Sequence, residues 1–322
     1  MRSGLVRLPP PGYGRPMTAP AQTPSPGFVA AVLMPAVFVF LWSTGFIGAK
    51  LGLPYAEPMT FLALRFALVV AILAPLALLM RAPWPDRAAD VGHIAIVGVL
   101  LHGVYLGGVF AAISLGVEAG TAALIVALQP ILTAILAGPV LGERVSLRQW
   151  IGFFLGLAGV FLVVYRKLDQ GLGTPEGMAL AVMALFGITI GTLYQKRFCT
   201  QMDLRTGNAI QFAAAAVALG VIAFAIETRE ITWSGEFVFA LGWLVLVMSI
   251  GAITLLMILI RQGAASKVSS LFFLVPASTA LIAWPLFGET FGPAAIAGMV
   301  LVTVGVAMVN LGGQRPARRA AG

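Results

Sequence analysis

Charged residues are scarce in this chain. Only 10% of the 322 residues are Asp, Glu, Lys or Arg, while 60% are hydrophobic. A soluble domain carries roughly a quarter charged residues, so this composition excludes an ordinary water-soluble fold. Cysteine is rarer still. The lone Cys199 excludes an intramolecular disulfide and any CxxC metal or redox motif. No HExxH, P-loop, GxSxG or GxGxxG opening a βαβ unit occurs, so no metal, cofactor or catalytic residue is expected. No Asp or Glu falls deep in an apolar run, which removes the buried carboxylate on which many proton-driven pumps rely.

What is present is a series of apolar runs near 29–49, 59–80, 91–115, 120–140, 147–165, 176–195, 206–226, 237–260, 266–287 and 293–311. Most reach the length of about 20 residues that a helix needs to cross a bilayer. They lack the two-residue alternation of an outer-membrane barrel. The expected fold is therefore all-α and integral to the membrane, with ten transmembrane helices and the lipid bilayer as immediate partner. A net charge of +8 would hint at nucleic acid in a soluble protein. Here the basic residues sit between apolar runs, and no nucleic-acid partner is expected. With both termini cytoplasmic, fifteen of the 20 Lys and Arg lie on the inside, including Arg81, Arg87, Arg144, Arg148, Lys196 and Arg197. Four lie outside (Lys50, Arg166, Lys167 and Arg229), and Arg65 remains within a span. That asymmetry obeys the positive-inside rule and supports ten spans with both ends cytoplasmic; the expected location is a bacterial inner (plasma) membrane. The Pro-rich residues 1–28 read as a disordered cytoplasmic tail, and 312–322 as a basic cytoplasmic tail. No cleavable signal peptide is expected before the first span, and Met17 is a second candidate start.

Sliding the chain by 146 residues aligns 119–163 with 265–309 without a gap. Fourteen of the 45 pairs are identical, among them Pro130/Pro276, Pro139/Pro285, Gly142/Gly288, Glu143/Glu289, Gly152/Gly298 and Gly159/Gly305. Two Ala- and Leu-rich helices match by chance at roughly a tenth of positions. The same offset pairs Phe40/Phe186, Gly45/Gly191, Lys50/Lys196 and Phe66-Ala67/Phe212-Ala213. The chain thus reads as a duplication of a five-span unit. Five is odd, so the two copies must be inverted relative to each other. Inverted repeats of this kind are a recurring transporter architecture, with the substrate site between the repeats near mid-membrane.

Several residues are candidates for that site. Arg65, well inside span two, either snorkels to the outer surface or faces a cavity, where it would meet an anionic substrate group. Its repeat partner Gln211 is also polar, which favours the cavity. His102 and Tyr105 lie one turn apart near the middle of span three. His102 is read either as a substrate or proton ligand or as a neutral residue bonded to a neighbouring helix. Pro130 and Pro276 interrupt spans four and nine at matching positions, with Gln129 beside the first. Helix breaks of this kind mark transporter sites, although a packing kink is the plainer reading of either alone. Trp42, with Ser43 and Thr44, is a further cavity candidate. Glu143 and Glu289 fall about a bilayer apart in the inverted arrangement and read as caps of the helix that follows each. His93 reads as interfacial and Glu118 as a loop residue.

The twin segments Ala127-Leu-Gln-Pro-Ile-Leu-Thr-Ala…Leu141-Gly-Glu…Gly152…Gly159 and Leu274-Val-Pro-Ala-Ser-Thr-Ala…Phe287-Gly-Glu…Gly298…Gly305 resemble the EamA repeat of the drug/metabolite transporter superfamily. Phe40-Leu-Trp-Ser-Thr-Gly-Phe and Leu64-Arg65-Phe66 are similar to that family as well. The resemblance covers 29–311, as repeats over 29–165 and 166–311. It implies ten helices in an inverted five-plus-five arrangement, a central cavity and, often, export of amino acids or related metabolites. A secondary transporter working by alternating access on a small-molecule substrate is the reading that follows, with Trp42, Arg65, His102, Tyr105, Gln129 and Gln211 lining the cavity. An intramembrane enzyme acting on a lipid-linked substrate is the alternative, and it would need a clustered nucleophile, acid and base. A membrane scaffold with a closed, dry centre is a third.

Overall fold

A computed structural model describes residues 28–117, 119–164, 173–287 and 292–311. Both expected tails, apart from Phe28, lie outside the described residues, as do Glu118, Arg166, Lys167 and Glu289. Ten helical stretches follow one another: α1 (Phe28–Gly52), α2 (Pro58–Leu79), α3 (Ala88–Ser114), α4 (119–141), α5 (Leu147–Val164), α6 (Pro175–Phe198), α7 (Leu204–Ile226), α8 (Gly235–Gln262), α9 (265–287) and α10 (Pro293–Asn310). Nine of these stretches, all but α9, contain a segment long and apolar enough to cross a membrane. In hydrocarbon a helix satisfies its own backbone, which is why apolar runs of this length adopt no other form. The outward faces carry large apolar side chains such as Val217, Val221, Phe224, Phe239 and Leu246. Exposed apolar surface on this scale requires lipid as the solvent.

Polar side chains fix the helix ends. Asp203 caps α7 by accepting from the backbone N–H groups of Arg205 (2.9 Å) and Thr206 (3.4 Å). Thr174 and Ser234 do the same for α6 and α8, each accepting at 3.1 Å. Other caps are supplied from the opposite repeat. The Glu227 carboxylate accepts from the N–H groups of Met59 (2.8 Å) and Thr60 (2.6 Å) at the start of α2. Glu143 accepts from the N–H of Ala265 at 2.8 Å and of Ser266 at 3.4 Å. The expectation that Glu143 caps the helix following it is therefore corrected. The left-handed Gly142 (φ 69°) ends α4, and the carboxylate reaches the first turn of α9 instead.

The inverted symmetry is visible where α5 and α10 cross. A Cβ on Gly152 would lie 2.7 Å from the Gly305 carbonyl oxygen, and one on Gly159 would lie 2.7 Å from that of Gly298. The relation is reciprocal, with Cβ atoms on Gly298 and Gly305 falling 2.6 Å from the Gly159 and Gly152 oxygens. Pairing 152 with 305 and 159 with 298 is what antiparallel copies related by a 146-residue offset must produce. Small residues let the two backbones touch, the main attractive device available between helices in lipid.

Candidate functional site

The two halves depart from regular α-helix at matching places. α4 stops at Val126, turns through Ala127–Leu128 and restarts as Gln129–Leu141. In α9 a short helix, Ala265–Ser270, passes through a 3-10 turn, Leu271–Phe273, and restarts at Leu274. Pro130 and Pro276 each sit in the first turn of the restarted helix, where a missing N–H leaves no partner unsatisfied. Pro130 thus stands at the start of the second part of α4, whereas α9 stays helical through the 3-10 turn that precedes Pro276. α3 and α8 each contain a π-helical stretch, Val99–Leu106 and Leu244–Ala252. Such stretches are rare and concentrate at functional sites.

The two π-helical stretches contribute Tyr105 and Met248 to a small cavity of about 30 Å3. Its walls include Trp42, Gly45 and Ala49 of α1, Arg65 of α2, Tyr105 and Phe110 of α3, and Met248 of α8. A second small space of about 20 Å3 lies against the irregular turns of α4 and α9, lined by Ala127, Phe272, Val275 and Pro276, and shares Trp42 and Tyr105 with the first. The Trp42 indole packs edge-on against Phe272, 5.2 Å between centroids. Trp42 and Tyr105 thus form the partition between the two spaces.

Arg65 is 2% exposed. Its Nε donates to the Ser249 hydroxyl at 2.9 Å, and its guanidinium carbon lies 5.4 Å from the Phe66 ring centre. No carboxylate among the described residues is ion-paired with it; the ion pair present there joins Arg205 to Asp203 at the surface. An arginine at this depth costs about 2.5–3.5 kcal/mol on the translocon insertion scale, and here only a hydroxyl and an aromatic face offset that cost. The cavity therefore has a fixed positive charge and apolar and aromatic walls.

The remaining sequence candidates lie elsewhere. Ser43 and Thr44 are buried and donate to the carbonyls of Val39 (2.7 Å) and Leu41 (2.6 Å). Gln129 is fully buried, with its Nε2 3.2 Å from the Ser269 hydroxyl. His102 is fully buried between Phe66 and Phe212, stacked on the latter at 4.3 Å between ring centres. Neither of its ring nitrogens has a hydrogen-bond partner. Gln211 donates to Gln195 Oε1 at 3.0 Å, and its own Oε1 is unpaired. Each buried polar group left without a partner costs about 1–3 kcal/mol. His93, the expected interfacial residue, pairs through Nδ1 with the Tyr194 hydroxyl at 2.6 Å. Sequence reasoning missed Ser249, Met248 and Gln195. A serine or glutamine near the middle or end of an apolar run was the available signal. Among the described residues no group of three or more His, Cys, Asp or Glu could hold a metal ion.

The sequence profile of the EamA-like transporter family matches residues 29–165 and 175–311. The chain belongs to the EamA-like transporter family. Similar members include the uncharacterized transporter YvbV of Bacillus subtilis, 26% identical over 86% of this chain and 90% of that protein. The uncharacterized inner membrane transporter YedA of Escherichia coli K12 is 28% identical over 84% of this chain and 88% of its own. A Salmonella typhimurium protein named "Probable amino-acid metabolite efflux pump" is 26% identical over 91% of this chain and 97% of its own. A solved crystal structure shares the fold, with a TM-score of 0.72 at 21% identity over 88% of this chain and 96% of that one. As an EamA-family protein the chain is an integral membrane transporter, and the Arg65 cavity lies between its two repeats.

Proposed function

We propose that this EamA-family protein is a secondary transporter of the bacterial inner membrane that exports small anionic or zwitterionic metabolites, amino acids and their derivatives foremost, by alternating access. The observation that carries the reading is the buried Arg65 guanidinium, with no ion-pair partner among the described residues, at a small cavity lined by residues of both repeats. A carboxylate-bearing solute supplies the missing counter-charge, and the aromatic walls at Trp42 and Tyr105 accept its apolar part. The name of the Salmonella relative supports export and the amino-acid class, and that of YedA supports the inner membrane. The Lys and Arg distribution supports cytoplasmic placement of both termini.

The test is efflux of radiolabelled amino acids from preloaded cells, comparing wild type with Arg65→Ala and His102→Ala. Arg65→Ala should abolish efflux at unchanged abundance; efflux by Arg65→Ala equal to wild type would remove that residue from the site. Turnover of a lipid-linked substrate by purified protein, without any gradient, would favour the enzyme reading instead.

A further inference from the structure

We propose that the cavity between the 80–87 and 199–203 links binds a primary ammonium group carried on an apolar body. The cavity lies apart from the Arg65 site, at the end of the bundle assigned above to the cytoplasm, and its volume is about 290 Å3. Trp84, Asp86 and Asp90 line it from one link and the start of α3. Phe198, Cys199 and Gln201 line it from the end of α6 and the other link. Asp203, also in the lining, is neutralised by Arg205 at 2.8 Å. The carboxylates of Asp86 and Asp90 have no ion pair or hydrogen bond among the described residues. Two uncompensated negative charges therefore border a space with aromatic walls.

The opposite end of the molecule shows what the fold places in the equivalent position. An offset of 146 carries Gln201 to Tyr55, Met202 to Ala56, Pro85 to Ile231 and Asp90 to Glu236. There the Tyr55 ring packs edge-on against Phe237, its hydroxyl donates to Glu236 at 2.7 Å, and Ala56 pairs with Ile231 in an antiparallel bridge. Among the described residues the links around the cavity form no such bridge, and Pro83 and Pro85 leave one of them two backbone donors short. Gln201 stands in place of the phenol, so Asp90 keeps the carboxylate of Glu236 without its donor. What the cavity lacks is a donor on an aromatic or apolar body.

A second observation falls on the same space. Cys199 lines it at 2% exposure, and its thiol has no hydrogen bond among the described residues. Burial, and after it the charge of Asp90, push that thiol up to about 11. The Asp90 carboxylate thus acts on the interior of the cavity and not on solvent alone. With two unpaired carboxylates the best donor is a cation, because charge-assisted hydrogen bonds are about twice as strong as neutral ones. The Trp84 face attracts the same group, and an ammonium has three donors to share between two carboxylates. Free amines and amino acids carry this group, and so does the headgroup of phosphatidylethanolamine.

Calorimetric titration of phenethylamine into the full-length protein in uncharged maltoside micelles tests the site. One saturable event is expected, and phenethyl alcohol, the same body without the charge, should give none. Asp90→Asn should weaken binding by about tenfold or more. Gln201→Tyr, which supplies the ring and donor found at Tyr55, should abolish it; if that variant fails to fold, the Asp90→Asn arm decides alone. Competition by added phosphatidylethanolamine assigns the group to the lipid headgroup, and an unchanged affinity assigns it to a free amine. No saturable binding of phenethylamine, or an affinity unmoved by Asp90→Asn, overturns the proposal, as does full binding by folded Gln201→Tyr. The measurement requires no transport, so its failure leaves the efflux reading standing.

Discussion

Arg65 and Glu57 show how the surrounding medium decides what a charged side chain does. Arg65 was legible as exceptional because it alone among the basic residues falls deep within an apolar run, and its depth demanded either snorkelling or a cavity. The structure gives it a cavity and a single hydroxyl partner, Ser249. A charge-assisted contact to a carboxylate contributes about 1.5–3 kcal/mol, so Arg65→Gln should weaken solute affinity by roughly tenfold to a hundredfold. Equilibrium binding to detergent-purified protein checks this, and near-native affinity would contradict it. Glu57 lies outside the spans, where it accepts from the Thr228 hydroxyl and N–H (both 2.7 Å) and the Arg229 N–H (3.0 Å). The Thr228 hydroxyl above all, with the two backbone donors and the Arg229 charge, holds its carboxyl below the usual value of 4.5. A depressed carboxylate contributes stability that is complete above its unfolded value and lost as pH falls through the folded one. Thermal unfolding of wild type should therefore move to lower temperature below about pH 4.5, and Glu57→Gln should flatten that part of the dependence. An identical acid limb in both proteins would contradict the assignment.

Among the elements, the breaks in α4 and α9 were readable because Pro130 and Pro276 recur at one offset in otherwise unremarkable apolar runs. Their role was only half readable. Proline removes an N–H wherever it stands, and the sequence could not say that each would stand in the first turn of a helical segment, where that loss has no consequence. The π-helical stretches of α3 and α8 were not readable, because a change of hydrogen-bonding from i+4 to i+5 leaves little periodic signal in a run that is almost wholly apolar. The Glu143 cap was assigned to the nearest helix in sequence. The Gly142 turn sends it across to α9, a tertiary choice that spacing alone does not encode. Glu143→Ala should accordingly lower stability by about 1 kcal/mol, with Glu143→Gln retaining part of it. The α5–α10 contact is stricter, because backbone faces backbone. Gly305→Leu should destabilise the protein by about 1–3 kcal/mol or more. Denaturation in detergent compares it with Val304→Leu at an exposed position, and equal stability of the two would contradict the packing described.

At the scale of the whole molecule, two inverted copies in lipid were legible from the scarcity of charge, the ten apolar runs and the 146-residue offset. These are global constraints and tolerate local ambiguity. The grouping of site residues was less legible. Trp42, Arg65 and Tyr105 stood out by residue type, and the fold brings them to one cavity. His102 and Gln211 stood out equally, but the fold buries them away from that cavity, His102 against Phe212 and Gln211 against Gln195, a tertiary placement that composition does not encode. Direction and cargo follow from no residue alone, so the measurement that bears on them most directly is the metabolite profile of the growth medium. Cells expressing the protein would be compared with cells expressing Arg65→Gln at equal membrane abundance and with cells lacking it. The expected result is accumulation of one or a few small carboxylate-bearing metabolites with the wild type only. Identical profiles from all three cultures, or accumulation undiminished by Arg65→Gln, would contradict the account.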